Sequence, residues 1–242
     1  MAIERIEGIV IDTVKHNDRH NVVTLFTRSR GRMAFLSPVG TSKQGRMRNA
    51  RLLPLSVIET QVSIRQNREL HNLGAITPME IWHDIYFNPV KSSLTIFLSE
   101  FLNRYFREAS PEPTAWDFII ASIRALDNLT DGVANFHIWF LIRFLDISGI
   151  TPDLSGYEPG DRFDMRAGNL IAGSAMHRDI LTSAETAVLM KLSRISIFNL
   201  AAFRFRGSER RLLLDRILRY YAIHFPGLSS LKSPDILSEL FS

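Results

Sequence analysis

The stretch that decides the fold is NVVTLFTRSRGRMAFL, residues 21–36. Its two runs rich in Val, Phe and Leu, residues 21–27 and 31–36, are separated by a short polar segment, as in a β-hairpin. Gly31 can adopt the positive φ that such a tight turn requires. The stretch therefore predicts two antiparallel strands joined by a turn at residues 29–31.

Three further strand-like segments surround this hairpin. Residues 6–14 are β-branched, residues 55–64 alternate apolar and polar side chains, and residues 70–76 form a short apolar run. Five short strands in about 75 residues are typical of a small β-barrel. An OB-fold is the natural candidate and an SH3-like barrel is the alternative, because periodicity alone does not separate them.

Residues 27–54 contain seven cations and no acid. The cations lie on the hairpin and in a long loop predicted between the third and fourth strands: Arg28, Arg30, Arg32, Lys43, Arg46, Arg48 and Arg51. Residues 1–75 carry 12 Lys+Arg against 6 Asp+Glu, whereas residues 76–242 carry 17 against 19. Uncompensated cations attract phosphates, so the segment predicts a polyanion-binding rim. A solvated basic face is the alternative.

Aromatic side chains flank the basic residues. Phe26 and Phe35 would stack on nucleic-acid bases if they faced outward. Packing in the barrel core is the commoner role of a strand phenylalanine.

After Ile76 the periodicity changes from two to about 3.6 residues. Thr77-Pro78-Met79-Glu80 has the form of a capping box with proline at the first helical position. It predicts the first helix and a domain boundary, with a barrel at residues 1–76 and a helical domain at residues 77–242. The predicted fold class is α+β, a five-stranded OB-fold barrel followed by an α-helical domain.

Apolar stripes predict the helices of the second domain. They cover residues 94–106, 110–128, 133–148 and 209–224, a second capping box begins a helix at Thr182, and Ser233-Pro234 begins a short C-terminal one. Between these helices, residues 151–180 are rich in Gly, Pro and Asp and carry no helical stripe. Such an insertion predicts a subdomain or a binding element.

The sequence contains no constellation that indicates catalysis. There is no cysteine, no phosphate-binding GxxxxGK[ST], no GxGxxG and no GxSxG. In the insertion, His177 has only carboxylates nearby, at Asp153, Glu158, Asp161 and Asp164, which is too little for a typical zinc site. We therefore expect a protein that is not an enzyme and has neither metal nor other cofactor.

A second basic group lies before the last predicted helix. It consists of Arg204, Arg206, Arg210 and Arg211, interleaved with Phe203 and Phe205. It predicts either secondary DNA contacts or a solvated turn. Residues 136–145 form the longest apolar block and are too short to span a bilayer. The N-terminus does not resemble a signal peptide, so a cytoplasmic location is expected.

The order of these features resembles the RecO family of bacterial recombination mediators. The resemblance rests on Gly8-Ile9-Val10, Asp18, residues 22–27, Gly31-Arg32-Met33 and residues 52–59, and it continues more weakly through FLDISGITPDL after the central helix. It spans most of the chain.

This resemblance implies an OB-fold followed by a helical domain. It also implies a protein that binds single- and double-stranded DNA, anneals complementary strands and contacts the C-terminal tail of single-stranded-DNA-binding protein. With RecR, such a protein helps to load the recombinase RecA onto coated DNA. The matching basic positions are those of residues 27–54.

One departure from the family is plain. Many members carry a four-cysteine zinc module after the helix that ends at Gly149, and this chain has the insertion without any cysteine. The insertion must therefore hold its shape without zinc–thiolate bonds, or be mobile. Two other functions fit the charge pattern, a barrel that binds an acidic protein and a barrel that binds RNA.

Overall fold

The computed structural model describes residues 3–40, 42–64, 70–107, 110–173, 176–229 and 231–233. By its internal contacts the chain divides into two compact units. The first comprises residues 1–127 together with 231–233, and the second begins at Asn128. The predicted α+β class is confirmed, with a curled N-terminal sheet of OB type followed by helices. The domain boundary at residue 76 stays a prediction.

The curled sheet has the strand order β5-β3-β2-β1-β4-β6. The strands are β1 Ile3–Lys15, β2 His20–Thr27, β3 Gly31–Pro38, β4 Val57–Ser63, β5 Leu70–Asn72 and β6 Ile76–Pro78. Strand β5 pairs with β3 in parallel, and the other pairs are antiparallel. The single strand predicted at residues 70–76 is thus two short strands on opposite edges of the sheet.

Gly74 lies where the chain crosses from one sheet edge to the other. A Cβ atom added there would stand 2.0 Å from the backbone oxygen of Gln61 in β4. No other residue fits without moving the backbone, because real Cβ atoms do not approach an oxygen so closely. The crossing segment therefore lies against β4, which curls the sheet towards closure.

The inner face of the sheet is apolar. Ile58, Thr60 and Val62 are buried, as their alternation predicts. Phe35 is fully buried on this face, and Phe26 is fully buried on the opposite face, where it stacks on Phe106 with ring centroids 3.8 Å apart. The possibility that these two phenylalanines stack on bases is therefore wrong, because both face the protein interior.

Two predictions about the connections are also wrong. The long loop between β3 and β4 contains a helix, α1 Lys43–Ala50, whose first turn is capped by the Ser42 hydroxyl accepting from the Gly45 N–H. The sequence Thr77-Pro78-Met79-Glu80 does not begin a helix. Instead β6 pairs with β4, and the Met79 N–H continues that contact by donating to the Val57 carbonyl.

The remaining helices follow the predicted stripes closely. They are α2 Pro89–Tyr105, α3 Pro113–Asn128, α4 Phe136–Ile147, α5 Ser183–Leu192 and α6 Gly207–His224. Asn88 caps α2, and Thr182 and Glu185 form the predicted capping box of α5. The helix predicted to begin at Ser233-Pro234 lies outside the described residues from Pro234 onward.

In the first unit, one carboxylate fixes the segment that leads into α2. Asp127 accepts hydrogen bonds from the backbone N–H groups of His83, Asp84 and Ile85, at 2.9, 2.9 and 3.0 Å. The buried Lys91 ammonium donates to the Asp127 carbonyl and pairs with the Asp84 carboxylate at 2.7 Å. The end of α3 therefore organises the chain that joins the sheet to the helices.

The end of the described chain also belongs to the first unit. The Glu100 carboxylate on α2 accepts from the backbone N–H groups of Lys232 and Ser233, and from the buried Ser233 hydroxyl. Burial alone would raise the pKa of Glu100, but these hydrogen bonds outweigh it and lower that pKa.

In the second unit, the insertion forms a small antiparallel sheet. Its strands are β7 Arg162–Asp164, β8 Asn169–Ile171 and β9 Ile180–Leu181. Phe163 and Met165 are buried, and Asp179 accepts from both Arg166 and Arg219 at 2.7 Å. Apolar packing and this double ion pair stabilise the insertion, which has no cysteine to bind zinc.

We predict that Asp127→Ala strongly destabilises the protein. The substitution leaves three backbone donors without their acceptor, which should cost roughly 3 kcal/mol. Although burial by itself raises the pKa of Asp127, the three N–H donors and Lys91 outweigh it and lower that pKa. The contribution is thus present above the ordinary aspartate pKa and is lost as the pH falls through the lowered value.

Urea unfolding at pH 7 and at acidic pH measures this effect. Asp117→Ala is the matched control, since Asp117 is an exposed aspartate on the same helix. Equal midpoints for the two variants at pH 7 would contradict the role assigned to Asp127.

Candidate nucleic-acid interface

The β2–β3 hairpin presents the first of the predicted phosphate-binding residues. Gly31 has a φ of 68°, the Thr27 hydroxyl donates to the Gly31 carbonyl at 2.7 Å and accepts from the Arg30 N–H at 3.1 Å. These bonds fix the turn and hold Arg28 and Arg30 at its tip. The turn predicted from the sequence is confirmed.

Carboxylates of β1 compensate both of these arginines. Arg30 binds Glu4 through two nitrogens, with a shortest distance of 2.8 Å, and Arg28 lies 3.3 Å from Glu7. Residues 27–54 contain no acid, but the neighbouring strand supplies two. The expectation that all seven cations are uncompensated is therefore wrong for this pair. The antiparallel pairing of β1 with β2 is the signal that would have indicated the contact.

Arg32 belongs to a half-buried polar network. Its Nε donates to Asn103 on α2 at 3.3 Å, and the Asn103 amide donates to the Asp12 carboxylate at 3.0 Å. Burial lowers the pKa of Arg32, and the Asp12 carboxylate opposes part of that effect. This guanidinium is therefore held largely by the protein itself.

Helix α1 carries the cations that no carboxylate compensates. Lys43 and Arg46 are exposed, and neither side chain makes a hydrogen bond or ion pair with any residue that the structure describes. One turn along, Met47 is 52% exposed. Residues three and four apart share a helix face, so all three side chains lie on one outward stripe.

Arg48 and Arg51 are turned towards the protein instead. Arg48 donates to the Ser37 hydroxyl at 3.1 Å and to the carbonyls of Leu73 and Gly74 at 2.7 and 3.0 Å. Arg51 donates to the Ile76 carbonyl at 2.7 Å. Burial lowers the pKa of Arg48. These two guanidiniums satisfy carbonyls at the crossing between β5 and β6.

The second basic group lies in the second unit, at the start of α6. Arg210 is half-buried and donates to the Asn135 side chain and the Phe205 carbonyl, both at 3.1 Å. Arg204, Arg206 and Arg211 are exposed. Three of the four guanidiniums are thus accessible to solvent, and the fourth packs within the unit.

The second unit also contains an apolar groove that the sequence did not indicate. This α5–α6 groove has a volume of about 420 Å³ and is lined by Leu145, Phe163, Val188, Leu189, Leu213 and Ile217. Two guanidiniums, Arg204 and Arg216, and two carboxylates, Glu185 and Glu209, also line it, and Glu185 pairs with Arg216 at 2.7 Å. Its residues come from five separate elements and the loops between them, so no local pattern could have predicted it.

The insertion does not fit the four-thiolate zinc module that the family resemblance implies for this position. The chain has no cysteine, and no three His, Asp or Glu side chains converge among the described residues. His177 lies 3.3 Å from Asp164 and has no second histidine beside it. Among the described helices, none combines the length and the apolar character that crossing a membrane would need.

Comparison with known proteins identifies relatives along the whole chain. Residues 1–82 match the family model for the recombination protein O N terminal, and residues 87–234 match that for the recombination protein O C terminal. The chain is 32% identical over 240 residues to the DNA repair protein RecO of Bacteroides fragilis, covering 99% of each protein. It is 34% identical over 239 residues to the DNA repair protein RecO of Porphyromonas gingivalis, covering 97% of each.

A more distant relative is the DNA repair protein RecO of Flavobacterium psychrophilum. Its sequence is 28% identical over 239 residues, which covers 98% of this chain and 99% of the relative. Family models and relatives agree from one end of the chain to the other. The resemblance first noted in the N-terminal strands is confirmed: the chain belongs to the RecO family of DNA repair and recombination proteins.

Proposed function

We propose that this protein is a non-enzymatic recombination mediator that binds single- and double-stranded DNA and anneals complementary strands. Together with RecR, it helps to load RecA onto DNA coated by single-stranded-DNA-binding protein, in the cytoplasm. The observation that carries the proposal is the outward stripe of α1, where Lys43 and Arg46 stand exposed without a carboxylate partner among the described residues. Membership of the RecO family supports the same conclusion.

Backbone contacts suffice for the annealing that we propose. Two strands repel each other through their phosphates, and cations that bind phosphates reduce this repulsion. A surface that contacts only the backbone leaves the bases free to pair. Lys43 and Arg46 meet both requirements, because their side chains are exposed on the outward stripe of α1.

The other predicted contacts differ in how readily they can reach a phosphate. Arg28 and Arg30 are half-exposed, but each would have to leave its glutamate, and exposed ion pairs of this kind contribute only about 0–1 kcal/mol. We propose that they are secondary contacts. Arg204, Arg206 and Arg211 are exposed candidates for further contacts in the second unit.

We propose that the α5–α6 groove binds the C-terminal tail of single-stranded-DNA-binding protein. Such a tail is acidic and ends in an aromatic side chain, so it needs an apolar site with a cation at its edge. The groove supplies Phe163, Leu189 and Ile217 for the ring. Arg204 is exposed at the edge and makes no hydrogen bond or ion pair with another described residue, which leaves it available for a carboxylate.

The salt dependence of DNA binding tests whether Lys43 and Arg46 contact phosphates. Each phosphate neutralised on a single strand contributes roughly 0.7 to the slope of log affinity against log salt. We expect Lys43→Gln/Arg46→Gln to reduce that slope by about 1.4 for an oligothymidine, measured by fluorescence anisotropy. Arg5→Gln is the matched control, since Arg5 is also an exposed barrel arginine. An unchanged slope in the double variant would remove α1 from the interface.

Strand annealing tests the function itself. We expect the wild-type protein to accelerate the pairing of two complementary oligonucleotides without ATP, and to do so less at higher ionic strength. The measurement is made with and without single-stranded-DNA-binding protein, and is repeated with RNA strands of the same sequence. No acceleration, or acceleration of RNA pairing only, would contradict the proposal.

Calorimetry with an acidic peptide that ends in phenylalanine tests the groove. We expect a Kd on the order of 10 μM for the wild type. Leu189→Glu places a charge in the apolar floor and should abolish the binding heat, and Arg204→Glu should weaken affinity at least about tenfold through repulsion. Lys191→Glu, an exposed change on the same helix outside the groove, is the control. Equal affinity for all four proteins would place the tail elsewhere.

A further inference from the structure

Helix α1 is attached to the barrel without burying an apolar side chain of its own. None of its residues is buried, and its first turn contains no acid that would favour a helix N-terminus. A short helix of this kind is not stable by itself in water, so it needs tertiary contacts. The hydrophobic face that usually supplies them is missing here.

A close glycine contact supplies part of the attachment. A Cβ atom added at Gly45 would stand 2.4 Å from the backbone atoms of Gly40, and one added at Gly40 would stand 2.7 Å from Gly45. The two backbones therefore touch at the start of α1. This contact fixes where the helix begins, but it does not determine the direction in which the helix leaves the barrel.

Arg48 and Arg51 determine that direction. Arg48 lies on the inward side of α1 and reaches three acceptors: the Ser37 hydroxyl at the end of β3 and the carbonyls of Leu73 and Gly74. Arg51, the C-cap residue directly after the helix, reaches the Ile76 carbonyl. The helix is thus tied to β3 on one side and to the β5–β6 crossing on the other.

We infer that Arg48 and Arg51 are positioning residues, which dock α1 on the barrel so that Lys43 and Arg46 face the DNA phosphates together. This inference rests on the proposed function. These two arginines are among the seven cations expected to bind phosphates. We give them a structural role instead, because their donors already bind protein oxygens. A guanidinium is suited to the task, since its planar fork carries donors on separate nitrogen atoms, and Arg48 uses Nε for the Ser37 hydroxyl and Nη2 for the two carbonyls.

A cycle of variants separates positioning from direct contact. In the wild-type background, Arg48→Gln releases α1 and should weaken the binding of an oligothymidine about tenfold. In the Lys43→Gln/Arg46→Gln background, the same substitution should change neither the affinity nor the salt slope. A direct phosphate contact would instead lower the slope by a further ~0.7 in that background, and this result would overturn the inference.

Hydrogen exchange of the free protein supplies a second readout that does not depend on DNA. We expect the amides of residues 43–50 to exchange roughly tenfold faster in Arg48→Gln, while those of β1 and β2 keep their wild-type rates. Arg48→Lys should behave like Arg48→Gln, because the single nitrogen of a lysine cannot occupy the positions of both Nε and Nη2 of the guanidinium. Arg46→Gln is the matched control on the same helix and should leave exchange unchanged.

The two readouts also distinguish failure of the inference from failure of the proposed function. If the wild-type protein does not bind DNA but Arg48→Gln speeds exchange in α1, the proposed function is wrong and the docking role stands. If the wild type binds DNA and Arg48→Gln leaves α1 exchange unchanged, the docking role is wrong. A variant that speeds exchange throughout the sheet has lost its fold, and Ser37→Ala, which removes one acceptor only, then replaces it in the comparison.

Discussion

The rest of the barrel is organised around the crossing between β5 and β6, where the chain passes from one edge of the sheet to the other. There the chain crosses beneath the open end of the sheet, and two carbonyl groups, of Leu73 and Gly74, are left without strand partners. A buried carbonyl without a donor costs free energy. One guanidinium, that of Arg48, supplies donors for both. The same side chain therefore both binds the crossing segment and attaches α1 to the sheet.

This arrangement explains why one cluster of cations has several roles. The seven basic residues lie close together in the sequence, but in the structure their side chains have different partners. Arg48 and Arg51 bond to the backbone, and Arg28 and Arg30 pair with β1. Only Lys43 and Arg46 on α1 extend into solvent without an ion-pair or hydrogen-bond partner among the described residues. A count of basic residues therefore overstates the number available to a polyanion.

Much of the fold could be predicted from the sequence because the governing patterns are local. Alternation in β4 correctly places Ile58, Thr60 and Val62 in the interior, and the capping box at Thr182 correctly begins α5. Gly31 adopts the left-handed conformation that its position in the turn predicts. In each case, the residues that determine the structure are within a few positions of one another.

The rest depends on contacts between residues far apart in the chain. The capping-box pattern at Thr77 does not begin a helix, because this segment pairs with β4 instead. Its neighbours Ile58 and Thr60 lie beside it only in the folded sheet. Glu4 and Glu7 become partners of the hairpin arginines through the pairing of β1 with β2. The α5–α6 groove is assembled from five elements. No short segment of the sequence contains both partners of any of these contacts.

The contact of Glu100 with residues 232 and 233 has a consequence for biosynthesis. The first unit is discontinuous in the chain, since residues 231–233 return to α2 after residues 128–230 of the second unit. During translation, α2 emerges from the ribosome more than a hundred residues before the N–H groups that donate to its glutamate. The N-terminal unit therefore completes its hydrogen bonding only after residues 128–230 have been synthesised.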